Sequence, residues 1–254
     1  MGKAIWGADP EFFGPRHAHR EDRITSRLDR LIPRTGLHLE CAAGVGSQSL
    51  TLAGKGHTVV AADHSLRSLH VLAERADAAG AAARVLPVVA DITALPFSAE
   101  TFAFATSAET LEHIPAHEEA VSELSRTIAS GGWLVGTVPA GPRQWSDWDE
   151  WAGHLRRYTA AEMKKILARA GLEPEVDTWG WPVLRLYDNF FLKRVNRRRL
   201  LHDGAVENDS TLNVVSALGR KRWLVGLVRS FFRIDRLFDG VPWGVGLLFA
   251  ARKR

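Results

Sequence analysis

From residue 36 to residue 139 the chain alternates short, almost wholly apolar runs with longer segments whose apolar positions recur every three or four residues. Residues 36–42, 57–63, 84–91, 102–107 and 131–139 are the short runs, rich in Val, Ala and Leu. Runs of that length without a polar face predict strands covered on both sides. The segments between them predict helices from Ser47 to Ala53, from Ser65 to Ala79 and up to Ala129, with Ser65 placed to cap the second. Strand and helix in turn predict βαβ units, hence a parallel sheet with helices on both faces. Such sheets bind ligands at the carboxyl ends of their strands, where Glu40, Asp63, Asp91 and Ser107 fall.

The flanks read differently. Upstream, Ile24, Leu28, Leu31 and Ile32 mark a helix over 17–32 that Pro33 ends. Downstream of Pro139 comes a loop with Trp145, Trp148 and Trp151, then a helix opened by the Thr159/Glu162 capping-box pair and closed at Gly171. A sixth strand is expected over 175–181, a basic helical insertion over 183–239 and a last strand over 245–251. The expected organisation is a helical cap at 1–35, a core at 36–182, a basic lid at 183–240 and the closing strand at 241–254. Seven of the nine Trp lie beyond residue 140, which points to an aromatic acceptor pocket beside the core or to ordinary core filling.

Composition narrows the class. With 254 residues, 46% apolar and 24% charged, the chain can bury one sizeable core and is not disordered. A single cysteine, Cys41, excludes a disulfide framework and a Cys-rich zinc module and suits a reducing cytoplasm. Residues 1–6 hold no apolar run of the kind a secretory leader needs, and the longest uncharged apolar stretch, 240–251, is too short to span a bilayer. A soluble, cytoplasmic protein is expected. The net charge of +4 is uneven: Lys and Arg number 18 against 23 Asp and Glu through residue 184, and 15 against 6 beyond it. The basic quarter is either a solvated face or meets something anionic. Arg220, Lys221 and Arg222 open an apolar stretch with Trp223, Leu224, Leu227, Val228, Phe231 and Phe232, a pattern for a lid helix or for peripheral contact with the inner membrane face. No recognition module or stacking platform is legible, so no nucleic-acid partner is expected.

The turn after the first strand carries chemistry. A dinucleotide fingerprint would need a third glycine where Ser49 stands. The run Glu40-x-Ala42-x-Gly44-x-Gly46 instead resembles motif I of the class I S-adenosylmethionine-dependent methyltransferases. Asp63-His64, Asp91-Ile92, the segment from Ser107 to Ile114 and the segment from Ile128 to Val135 resemble that family's later motifs in order and spacing. The resemblance covers roughly residues 36–172 and returns in the last strand. It implies a Rossmann-like, seven-stranded, mostly parallel sheet whose last strand is antiparallel. It also implies S-adenosylmethionine as cofactor. Glu40 would then face the ammonium, and Ala42, Gly44 and Gly46 would form the loop. Asp63 would hold the ribose with His64 stacked nearby, Asp91 and Ile92 the adenine, and Ser107 would also hold the cofactor. Ala42 departs from the usual glycine, and Phe102-Ala103 from the usual Phe-Asp.

Glu109, Glu112 and His113 stand at i, i+3 and i+4, so a helical turn would aim all three one way. With the later His154 this E-x-x-E-H pattern resembles the O-methyltransferases of ubiquinone biosynthesis and the 3′-terminal small-RNA 2′-O-methyltransferases. That likeness implies a divalent cation on Glu109, Glu112, His113 and His154, acidifying an acceptor hydroxyl. The other reading makes His113 or His154 a metal-free general base. The sequence therefore points to O-methylation of a small or lipid-like metabolite. Metal-free N- or C-methylation on the same fold stands as an alternative, as does a non-catalytic cofactor-binding adaptor at a membrane surface.

Overall fold

The computed structural model describes residues 14–32, 35–193 and 222–254. Seven strands form one sheet in the order β3-β2-β1-β4-β5-β7-β6. They are β1 (Leu37–Cys41), β2 (Thr58–Asp63), β3 (Val85–Val89), β4 (Phe102–Ala108), β5 (Ile128–Pro139), β6 (Leu172–Trp179) and β7 (Gly246–Lys253). β1 through β5 pair in parallel, and β7 runs antiparallel to both β5 and β6, as the sequence led us to expect. The central strands are buried nearly throughout, which is why they lack a polar face.

The helices cover both faces. They are α1 (Pro15–Leu31), α2 (Ser47–Gly54), α3 (Leu66–Ala78), α4 (His117–Thr127), α5 (Asp147–Ala152), α6 (Ala160–Arg169), α7 (Val183–Tyr187) and α8 (Arg222–Phe232). One layer of core joins Leu39, Phe102, Val121, Leu124, Met163 and Phe249; the other joins Ile24 and Leu28 of α1 to Val135, Trp179, Leu184, Phe232 and Leu248. The first helix and the lid elements thus share a core with the sheet. The caps are those the sequence signals: Ser65 accepts from the Ser68 N–H, and Thr159 and Glu162 form a capping box.

Three boundaries differ from the sequence reading. β5 begins at Ile128 rather than 131, because Ile128 pairs with Phe102 across an irregularity in the β4–β5 register that ends α4 early. β6 begins at Leu172 and stops at Trp179, because Gly180 takes a left-handed backbone and Trp181–Pro182 turns the chain away. β7 extends to Lys253, held by its full ladder with β6. Of the basic clusters, Lys193 and Arg222 fall within described elements, while 194–199 and 220–221 lie outside the described residues.

Gly136 shows how tightly the sheet is drawn around the site. A Cβ there would stand 2.1 Å from the Ser107 carbonyl and 2.5 Å from the Phe249 ring, so only glycine lets β4, β5 and β7 approach. Strand order reverses between β1 and β4, opening a crevice at their carboxyl ends.

Candidate functional site

The crevice begins at Glu40, which is 8% exposed and accepts from the Ser49 hydroxyl. Burial pushes its carboxyl up to about 8, outweighing that hydrogen bond. The loop after β1 carries positive φ at Ala42 (57°), Gly44 (52°) and Gly46 (78°). Ala42 thus occupies a conformation that a glycine would adopt without strain, which is what its departure from the family pattern costs. Gly46 is required twice, by its φ and because a Cβ would meet Leu72 at 2.5 Å. As the cap of α2 it offers no side chain, so the first N–H groups of the helix are left facing the crevice.

Asp63 ends β2 and is nearly buried. One oxygen accepts from the Gly44 N–H and the other from the Ser65 N–H, both at 2.8 Å, so this carboxylate fixes the glycine loop as well as offering its remaining lone pairs. His64 beside it is 80% exposed, its Nδ1 3.4 Å from Asp63. Asp91 lies two residues beyond β3 rather than in it, exposed, with one oxygen held by the N–H and hydroxyl of Thr93; these bonds hold its carboxyl below the usual range. Ile92 is buried next to it. Ser107, at the end of β4, keeps a buried hydroxyl with no hydrogen-bond partner. A strand-end carboxylate, open helical N–H groups, a second strand-end carboxylate and an orphan hydroxyl along one crevice fit a zwitterionic nucleoside.

Beyond β4 the chain departs from the sequence reading. Glu109 has φ 51°, and only Leu111–His113 form a helical turn, of the tighter 3-10 kind. Glu109, Glu112 and His113 therefore do not share one α-helical face, because the Glu109 N–H is drawn instead to the Thr137 carbonyl of β5 at 2.8 Å. Ligand atoms of Glu112, His113 and His154 lie within 4.8 Å of one another, and Glu109 stands outside that group. Burial raises the Glu109 carboxyl, but Arg20, Arg16 and His154 outweigh it and hold the group charged. Glu112 is fully buried with no hydrogen-bond partner on either oxygen; burial and then Glu109 push its carboxyl well above the usual range.

His154 is held from behind. Its Nδ1 is 2.7 Å from Asp149, and its Nε2 is 3.9 Å from Glu112, while its ring meets His113 edge to face with centroids 4.8 Å apart. Asp149, buried on α5, also accepts from Arg157 through both nitrogens and from the Ser146 N–H. Burial disfavours its charge, but these donors outweigh burial and hold the carboxyl far below the usual range. A charged Asp149 can only accept, so the His154 Nδ1 donates to it and Nε2 is the ring nitrogen left facing Glu112 and His113. Burial, then His154, lowers the pKa of His113. Tyr158 ties the parts together, donating to the Leu111 carbonyl at 3.1 Å, while the Leu155 N–H donates to the Glu112 carbonyl.

Sequence reasoning missed Asp149, Arg157 and Tyr158, and with them Arg16 and Arg20 of α1. Arg16 Nε lies 3.3 Å from Asp188, an ion pair without hydrogen-bond geometry that links α1 to the turn after α7. The Ser146/Asp149 capping box was a legible signal for α5.

Comparison with known proteins agrees with this geometry. Residues 39–136 match a family profile described as a methyltransferase domain. A demethylmenaquinone methyltransferase of Mycolicibacterium vanbaalenii is 37% identical over 120 residues, 47% of this chain and 46% of that protein. The chain thus spans about half the length of the curated relatives it matches. Among solved structures, a Haemonchus contortus phosphoethanolamine N-methyltransferase 2 bound to S-adenosyl-L-methionine superposes with a TM-score of 0.62 at 18% identity, over 91% of this chain and 52% of that one. The [4+2]-cyclase SpnF superposes at 0.66 and 17% identity, over 100% and 87%. At such identities the likeness is one of fold, and a cyclase among the neighbours shows that the fold alone does not choose the reaction.

Proposed function

We propose that this chain is a class I S-adenosylmethionine-dependent methyltransferase and that it transfers a methyl group to a hydroxyl of a small, lipid-like acceptor. Glu40, Ala42, Gly44, Gly46 and the α2 N–H groups would hold the cofactor's amino-acid end. Asp63 and His64 would take the ribose, Asp91 and Ile92 the adenine, and Ser107 the reacting end. When bound, S-adenosylmethionine supplies a methyl group on a sulfonium with a neutral thioether as leaving group. The protein's tasks are then alignment, exclusion of water and removal of one proton.

A single observation carries the hydroxyl assignment. His154 is fixed by a charged Asp149 so that Nε2 is turned toward Glu112 and His113. Without a metal, His154 would take the hydroxyl proton at Nε2 and Asp149 would stabilise the imidazolium. Alternatively, Glu112, His113 and His154 would hold a divalent cation, which would acidify the same hydroxyl, and His154 Nε2 would then be a ligand rather than the base. One carboxylate and two imidazoles suit Zn²⁺, Mn²⁺, Fe²⁺ or Co²⁺ by donor type. Glu109 is assigned to balancing Arg16 and Arg20 rather than to the cation.

A second reading has its own support: the relative named for demethylmenaquinone favours a quinone-type acceptor. Removing a proton from a hydroquinone hydroxyl activates the ring carbons as well as the oxygen, so the same His154 serves a ring-methylated product. Titration with S-adenosylhomocysteine before and after chelation, with metal analysis, tests the site; absence of binding overturns the whole reading. Methyl transfer to hydroquinones of increasing side-chain length, with products identified by mass spectrometry and NMR, then separates oxygen from carbon. Full activity in chelator would leave His154 as the base without metal.

A further inference from the structure

α8 carries two neighbouring apolar stripes, and only one of them is covered. Phe232 is 1% exposed and sits with Val228 against the α1 and sheet core, its ring 5.3 Å from Tyr187 of α7. In the other stripe Trp223, Leu227 and Phe231 stand at i, i+4 and i+8, with Trp223 67% and Phe231 55% exposed. The turn that follows, Arg233–Phe238, continues the exposure through Ile234 and Leu237, the latter 82% exposed. Leu186, Phe190 and Phe191 of the adjoining α7 and its following turn are exposed as well.

The charge around this stripe is predominantly basic. Arg233 and Arg236 are exposed and Arg229 partly so; Asp235 is buried beneath the N–H groups of Val183 and Leu184, and the partly exposed carboxylates of Asp22 and Asp239 are ion-paired with Arg229 and Arg23. A second copy on this face would set like charges against each other, since a two-fold interface pairs a patch with itself. Aromatic and aliphatic side chains rimmed by arginines, the adjoining carboxylates of Asp22 and Asp239 being already ion-paired, match the boundary between anionic headgroups and acyl chains.

We propose that the outer face of α8 and the turn after it is a docking surface for an anionic lipid bilayer, holding the lid elements at the membrane. The surface stands on exposure and charge alone and does not depend on the methyl-transfer reading. The test is flotation of the full chain with phosphatidylcholine vesicles and with vesicles also containing phosphatidylglycerol, with and without high salt. Binding should be at least about tenfold stronger to the anionic vesicles and fall with salt. Trp223→Ser/Phe231→Ser should lower it by about tenfold or more and remove the blue shift of tryptophan fluorescence, while Arg233→Glu lowers binding to anionic vesicles alone. S-adenosylhomocysteine titration of the same samples reports the fold and the cofactor site separately. The proposal is overturned if wild type does not float with anionic vesicles, or if the double variant floats equally well. It is equally overturned if sedimentation shows a dimer that the double variant abolishes, which would make the occupant a second copy.

Discussion

Replacing Glu40 with Gln separates what this carboxyl costs the fold from what it gives the cofactor. Glu40 is 8% exposed, and burial places its pKa at about 8 in the folded chain against an ordinary 4.5. The unfolded chain is therefore ionised where the folded chain is protonated. The contribution of Glu40 to stability is fully present below about pH 4.5 and is lost as pH rises through about 8. At about 1.4 kcal/mol per unit, folding near pH 8 bears a cost of about 4 kcal/mol that Gln does not. Glu40→Gln keeps an acceptor for the Ser49 hydroxyl, so the apoprotein should gain stability, on the order of 10 °C in Tm near pH 8 and close to nothing near pH 5. Binding should move the other way. The bound ammonium would lose its counter-charge in a buried site, weakening S-adenosylhomocysteine by about 100-fold. Wild-type binding should release a proton and tighten as pH rises toward 8. Scanning calorimetry across pH with and without the ligand, and titration in buffers of different ionisation enthalpy, read both effects. A Tm difference that does not change with pH would refute the burial argument, and an unchanged Kd would refute the assignment of Glu40 to the ammonium.

Three further outcomes follow from the same geometry. Asp149→Asn frees the His154 tautomer and should lower kcat by about 10- to 100-fold while leaving the Kd for S-adenosylhomocysteine within about twofold, measured by single-turnover transfer and titration. Gly46→Ala should destabilise the chain by about 1–3 kcal/mol and weaken cofactor binding, because the new Cβ meets Leu72 and the residue must hold φ 78°; denaturant melts check it. Tyr158→Phe removes one of the two donors to the Leu111 carbonyl, the Ile114 N–H remaining, and should cost about 1 kcal/mol in the same melts, with a larger loss in kcat than in cofactor affinity as the Glu112/His113 turn loosens.

The sheet was legible because its signal is local. A strand buried on both faces must be apolar over its length, and a helix on the sheet must repeat every three or four residues, so 36–139 betrays its elements without knowledge of their partners. The boundaries that moved are those set by partners. Ile128 is strand rather than helix because Phe102 lies opposite it, and Leu172 because Lys253 does. The same division runs through the site. Glu40, Asp63, Asp91 and Ser107 were legible as candidates because each sits at or just past the end of a strand, where sequence order and spatial order coincide.

What the chain's linear pattern determined by itself was therefore the alternation of strand and helix, the glycine loop and the row of strand-end groups beside it. Only the tertiary structure decided the rest: that Glu109 stands apart while Glu112 meets His113 and His154, that Asp149 on α5 orients His154, and that one side of α8 is left uncovered. Those outcomes depend on α1, the turn after β4, α5 and the lid arriving at one place from sequence separations of up to two hundred residues. No local period encodes such a meeting, because burial against a distant element is what sets the partner, the charge state and the exposure of each group.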